Sequence, residues 1–228
     1  MHTILAEGPI GLLSAHPDDH IPNSHLLEAA RLEGVPVSEL VYTRGENGIN
    51  LRSDDPDFVR SGQRPLESQA SATRLGIRSY EQYAETDNDL TGKEYLLAAT
   101  AVGWVLRHNI STLVTLTTED HPDHQAVADS AWLTAKMLLE RNHNVSILEL
   151  LPARLRQHAD IIVPATPNSV AQAFGAVALN SSQFQTITGI YEDWPNVSGY
   201  SVEPASFERL TPYPLLHDAG YRLVQTFS

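Results

Sequence analysis

Residues 12–20 read "LLSAHPDDH". An apolar run ends in two histidines and two aspartates packed into five positions, 16 to 20. An apolar stretch of this length, bounded by turn residues, is the pattern of a buried strand. The residues that follow it are potential metal ligands and proton carriers. A second stretch, "TTEDHPDHQ" at 117–125, repeats the arrangement after another apolar run, Thr112 to Leu116. In an open α/β sheet, ligands gather outside the carboxyl ends of the strands. Two such clusters, each following a strand, are therefore expected on one edge of one sheet. A proline in each segment holds the chain out of regular structure. Both segments are read as lying outside helices and strands.

Working outward, short apolar runs alternate with longer segments of helical period, the rhythm of a parallel sheet with crossover helices. Strands are expected near Ile10 to Ser14, Val37 to Tyr42, Ser79 to Tyr83, Thr112 to Leu116 and Ser146 to Leu150. Helices are expected near Ser24 to Glu33, Arg64 to Leu75, Lys93 to Asn109 and Gln125 to Arg141. The fold class is α/β, a mostly parallel sheet with helices on both faces. The polar stretch Thr43 to Ser61 is read as a long loop, the kind that often carries function. After Leu151 the periodicity weakens. "ADIIVPAT" suggests one more strand, and Pro167 to Leu179 a helix. The final forty residues, with Pro195, Pro204, Pro212 and Pro214, read as irregular or as edge hairpins. The whole chain, 1–228, is read as one domain, with a core to about residue 151 and an extension over about 152–228.

Composition narrows the function. The chain has 228 residues and a net charge of -13, which argues against nucleic acid or an anionic membrane as partner. There is no cysteine, so any metal must sit on His, Asp or Glu. The N-terminal "MHTILAEGPIGLL" lacks the basic start and long apolar core of a signal peptide, and no run reaches a membrane span. A cytoplasmic enzyme is the expectation.

The adjacent pair Asp18 and Asp19 would repel at short range without a cation. A catalytic zinc takes three protein ligands and keeps one position for water. The alternative is that these aspartates only cap the helices that follow. Two clusters at the same sheet edge favour the metal.

"AHPDD", "TRGENG", "RPLESQASATRLG" and "HPDH", in this order, resemble the PIG-L/LmbE family of zinc-dependent de-N-acetylases. The resemblance covers about the first 130 residues, with a weaker echo in "NSSQF" at 180–184. It implies a Rossmann-like parallel sheet, a bound zinc ion and removal of acetyl from a small N-acetylglucosamine-type amino-sugar conjugate. It further implies that His16, Asp19 and His124 ligate zinc, and that Asp18 is the general base for the attacking water. His121 would stabilise the oxyanion as an imidazolium, with Asp123 holding it charged. Arg64, Arg44, Glu46 and His20 are candidate substrate contacts. Arg64 and Glu67 are alternatively an ion pair at helical spacing, and Arg44 and Glu46 could instead organise their loop. Asp87 and Asp89 read as turn residues that could also meet sugar hydroxyls. Trp104 and Trp132 read as core, and Trp194 as a pocket-lining candidate.

The chain departs from the family pattern at His20, where glutamate is frequent, at Asn180 before Ser-Gln, and at Gln225. Two rival readings stay open: a metal-dependent phosphoesterase, and a non-catalytic metal- or ligand-binding protein of the same fold. The resemblance leaves the choice between monomer and homo-oligomer open.

Overall fold

A computed structural model of the chain describes residues 7–47, 56–116, 121–151, 153–180 and 219–226, together with Leu5. The strands are β1 (Ile10–Ser14), β2 (Val37–Thr43), β3 (Ser79–Glu85), β4 (Thr112–Leu116), β5 (Ser146–Leu150), β6 (Ile161–Val163) and β7 (Ala219–Thr226). The helices are α1 (Ser24–Leu32), α2 (Pro56–Arg74), α3 (Glu94–His108), α4 (Pro122–Leu139) and α5 (Pro167–Leu179). The strands form one seven-stranded sheet in the order β3-β2-β1-β4-β5-β7-β6. The first five strands run parallel, and β7 pairs antiparallel with both β5 and β6.

Strand alternation divides the core in two. Ile10 and Leu12 face a layer built with Leu26 and Leu27 of α1, Ala72 of α2 and Val177 of α5. Leu13 faces the other side, where Trp104 of α3 and Ala131 and Ala135 of α4 pack. Gly11 makes room there: a Cβ would lie 2.7 Å from both the Trp104 ring and Ile110 Cδ1. Trp104 is thus core, as its helical position suggests.

Chain order reverses between β1 and β4, which opens a crevice outside their carboxyl ends. The two His-Pro-Asp segments leave the sheet at these two strands.

Three expectations change. Helix α2 begins at Pro56 rather than near Arg64, so the loop after β2 is shorter than the stretch to Ser61. Helix α4 begins at Pro122, which puts Asp123 and His124 in its first turn. Proline suits that first position because its missing N–H would be unpaired there anyway. The C-terminal segment supplies β7, an interior strand between β5 and β6 rather than an edge hairpin. Trp194 and residues 181–184, also singled out by sequence, lie outside the described residues. Among the described residues, no helix is long and apolar enough to cross a membrane.

Candidate active site

The turn after β1 is shaped by one of its own aspartates. Asp19 Oδ2 accepts hydrogen bonds from the backbone N–H of Ala15 (2.8 Å) and His16 (2.9 Å). Its Oδ1 is left to face the crevice. There His124 Nε2 lies 3.2 Å from Asp19 Oδ1, and His16 Nδ1 lies 3.3 Å from His124 Nε2 and 3.8 Å from Asp19 Oδ1. Zinc bonds of about 2.0–2.1 Å at tetrahedral angles place ligand atoms about 3.3 Å apart. The three atoms therefore fit around one small dication.

A second triple, His16, His121 and Asp123, also comes together. It is the poorer host. Both Asp123 oxygens already accept backbone hydrogen bonds, Oδ2 from Asn88 (2.8 Å) and Oδ1 from Leu90 (3.1 Å). Metals in both triples would also need His16 as a bridging imidazolate.

Helix α2 clamps the turn from behind with one stripe. Arg64 Nη2 donates to Asp18 Oδ1 at 3.2 Å, Ser68 Oγ donates to Pro17 O, and Ser71 Oγ meets His20 Nε2 at 2.5 Å. Positions 64, 68 and 71 share one helix face. Arg64 Nη1 also donates to Gly45 O. Gly45 has φ +65°, and a Cβ there would collide with the guanidinium. Gly45, the first glycine of "TRGENG", is thus what lets Arg64 approach that loop.

The expected substrate contacts have partners within the protein or lie open at the sheet edge. His20 is fully buried, its Nδ1 3.2 and 3.1 Å from the two Glu39 oxygens, so it is out of a substrate's reach. A buried imidazole needs partners, and β2 provides one. Glu39 holds the His20 pKa up against the lowering effect of burial. Arg64 is buried and committed to Asp18 and Gly45. Glu46 organises the loop, accepting the Asp87 N–H at 3.0 Å. Arg44 is exposed at the same sheet edge.

The pairing of Asp123 with His121 also differs from expectation. The Asp123 carboxylate points at His16 Nε2 (3.4 Å) and the 88–90 turn. His121, the N-cap of α4, instead uses Nδ1 to accept the Asp123 backbone N–H at 3.1 Å. Burial lowers the His121 pKa, and the charges of His16 and His124 lower it further, outweighing Asp123 and Asp87. Both influences favour the neutral imidazole, and the bond from Asp123 N–H leaves Nε2 as the nitrogen free to donate.

The aspartates and histidines of the crevice shift one another's titration. Burial raises the Asp19 carboxyl pKa, but His124 and His16 beside it pull it well below the usual range. Burial lowers the pKa of His16, yet hydrogen bonds to Asp123, Asp19 and Asp87 hold it well above an ordinary imidazole.

From sequence alone Asp87 reads only as a turn residue or sugar contact, and nothing singles out Ser68, Ser71 or Glu39. Asp87 is buried and its Oδ1 lies 3.1 Å from His16 Nε2. It follows β3 by two residues, so the strand-end rule that locates the histidines could have located it too.

Comparison with solved structures finds the same fold. N,N'-diacetylchitobiose deacetylase from Pyrococcus horikoshii, solved with an inhibitor, is 18% identical, with a TM-score of 0.69 over 95% of this chain and 83% of that one. A deacetylase of the teicoplanin biosynthetic pathway, a triple mutant, is 20% identical with a TM-score of 0.65, covering 96% and 99%. The 4-carboxy-2-hydroxymuconate hydratase of Pseudomonas putida is 12% identical with a TM-score of 0.66, covering 97% and 98%. Among curated protein sequences none matches. Residues 12–135 match the family described as PIG-L, GlcNAc-PI de-N-acetylase, and they hold both His-Pro-Asp segments, the α2 stripe and Asp87. The chain belongs to the PIG-L family.

Proposed function

We propose that the chain is a zinc-dependent hydrolase that removes the N-acetyl group from a small N-acetylglucosamine-type amino-sugar conjugate. The triangle of His16 Nδ1, Asp19 Oδ1 and His124 Nε2, with Asp18 beside it, carries this reading. Zinc held there would act as a Lewis acid, lowering the pKa of a water toward ~7 and polarising the amide carbonyl. Asp18, with Oδ1 held by Arg64, takes the proton of the attacking water on its other oxygen. His121 donates its Nε2–H to the carbonyl oxygen as negative charge builds there. Asp18 then returns its proton to the departing nitrogen as the C–N bond breaks, leaving a free amine and acetic acid, which ionises to acetate in neutral solution. His121 Nδ1 already accepts the α4 backbone N–H, so the proton transfers fall to Asp18.

The hydratase among the structural neighbours shows that this fold also hosts water addition to carbon. The deciding assay incubates zinc-loaded and chelator-treated protein with N,N'-diacetylchitobiose and with an N-acetylglucosaminyl-inositol, and measures acetate. Zinc-dependent acetate release is expected. A hydroxymuconate and a phosphodiester run beside them. Turnover of either of those alone, or of nothing, contradicts the proposal.

A further inference from the structure

The turn after β1 loses one backbone hydrogen bond to a proline, and a side chain replaces it. Asp19 N–H donates to His16 O (3.3 Å), Ile21 N–H to Asp18 O (3.0 Å) and Asn23 N–H to His20 O (3.0 Å). The same three-residue spacing would pair Asp19 O with residue 22, but Pro22 has no N–H to give. The next backbone donor along, Asn23, is committed to His20 O. Asp19 is buried, and a buried carbonyl needs a partner. The Asn23 side chain supplies it, Nδ2 donating to Asp19 O at 3.3 Å.

The Asn23 amide is held in its turn by the far end of the chain. Tyr221 OH donates to Asn23 Oδ1 at 3.1 Å, across 198 positions. Asn23 is 3% exposed and Tyr221 0%, so solvent offers neither a substitute partner. The oxygen and nitrogen of one amide are fixed relative to each other, so a donor on Oδ1 aims Nδ2. Tyr221 is itself fixed in β7, in register with Leu150 of β5 and Ile161 of β6. We infer that Tyr221 is a positioning residue for the metal ligand Asp19, acting through Asn23. Asp19 is then anchored twice. Its Oδ2 takes the N–H groups of Ala15 and His16, and its backbone carbonyl takes Asn23, which leaves Oδ1 aimed at His124. The role rests on the zinc reading above. It brings into the metal site a strand that lies beyond the family match at 12–135.

Zinc affinity tests the role without relying on turnover. It is measured by competition with a chromophoric chelator on the wild-type chain, Tyr221→Phe, Asn23→Ala and the double variant, alongside thermal unfolding of each metal-free protein. Tyr42→Phe is the control: Tyr42 OH is as deeply buried and donates to Leu97 O at 3.2 Å, but in the other core layer. Partners behind a metal ligand are worth about 10–100-fold in metal affinity. Asn23→Ala is expected within that range, and Tyr221→Phe, one bond further away, near its low end of about 10-fold. The double variant should lose no more than Asn23→Ala alone, because the hydroxyl acts only through the amide. Tyr42→Phe should lower the unfolding temperature and leave zinc affinity at the wild-type value. Wild-type zinc affinity in folded Tyr221→Phe or folded Asn23→Ala would overturn the role. So would losses that simply add in the double variant, or a loss in Tyr42→Phe equal to that in Tyr221→Phe. If the wild-type chain takes up no zinc, the functional reading itself fails, and the positioning role falls with it.

Discussion

His16 Nδ1 lies 3.3 Å from His124 Nε2, although 108 positions separate the two residues. The sheet makes the contact possible: β1 and β4 are neighbours, His16 follows β1 by two residues, and His124 lies in the first turn of the helix after β4. Two nitrogen atoms this close, with Asp19 Oδ1 completing the triangle, form the donor set on which the proposed zinc would sit.

Zinc and protons should compete for that triangle. His16, whose pKa stands well above the ordinary imidazole value, must give up a proton from Nδ1 before it can ligate. Affinity should therefore rise with pH through neutrality and fall on acidification. Calorimetric titration of zinc in buffers of different ionisation enthalpy should detect proton release on binding. Binding that is independent of pH across the neutral range and releases no proton would contradict this.

His121 and Asp123 stand two residues apart and should fail differently. His121→Ala is expected to lower kcat by roughly 10²-fold while zinc stays bound, because only the donor to the developing oxyanion is lost. Asp123→Ala removes a partner of His16 and both side-chain acceptors of the 88–90 turn. It should weaken zinc binding by about 10–100-fold. Metal content and kcat measured together on both variants check the contrast.

Two glycines of similar conformation offer a test of the loop beneath Arg64. Gly34 has φ +71°, and a Cβ added there would meet nothing within 4 Å. Gly34→Ala should therefore cost only the left-handed backbone penalty, about 1–2 kcal/mol. Gly45→Ala carries the same penalty and also displaces the guanidinium that holds Asp18. It should lose more stability in denaturant titrations, and kcat as well. Equal losses of stability, with kcat unchanged in Gly45→Ala, would mean that Arg64 need not lie where it does.

Strands β1, β4 and β5 are legible to the residue because each is an apolar run buried on both faces and closed by turn residues. The start of α2 is not, because Gly62 and Pro65 lie within it and the segment is largely polar. Strand β7 escapes for a different reason: its partners are remote in sequence, and antiparallel pairing with β5 cannot be seen from its own residues. The same divide runs through the site. His16, Asp19, His121 and His124 announce themselves as local clusters. His20 looks like one of them, yet it turns inward to Glu39 on β2. Asp87 looks like a turn residue, yet packing carries it to His16. Which way a side chain faces at such positions is decided by tertiary contacts.

The most direct measurement compares the two neighbouring aspartates, because the proposed chemistry gives adjacent, identical side chains opposite tasks. Asp19 presents Oδ1 to the metal triangle, whereas Asp18 is held by Arg64 with 19% of its side chain exposed. Zinc content and kcat are measured on Asp18→Asn and Asp19→Asn from the same preparation. The account predicts that Asp19→Asn loses zinc and activity together. It predicts that Asp18→Asn keeps zinc and substrate binding but loses roughly 10²–10⁴-fold in kcat, the range expected for a general base. Asp18→Asn emerging metal-free, while Asp19→Asn retains zinc, would contradict the assignment.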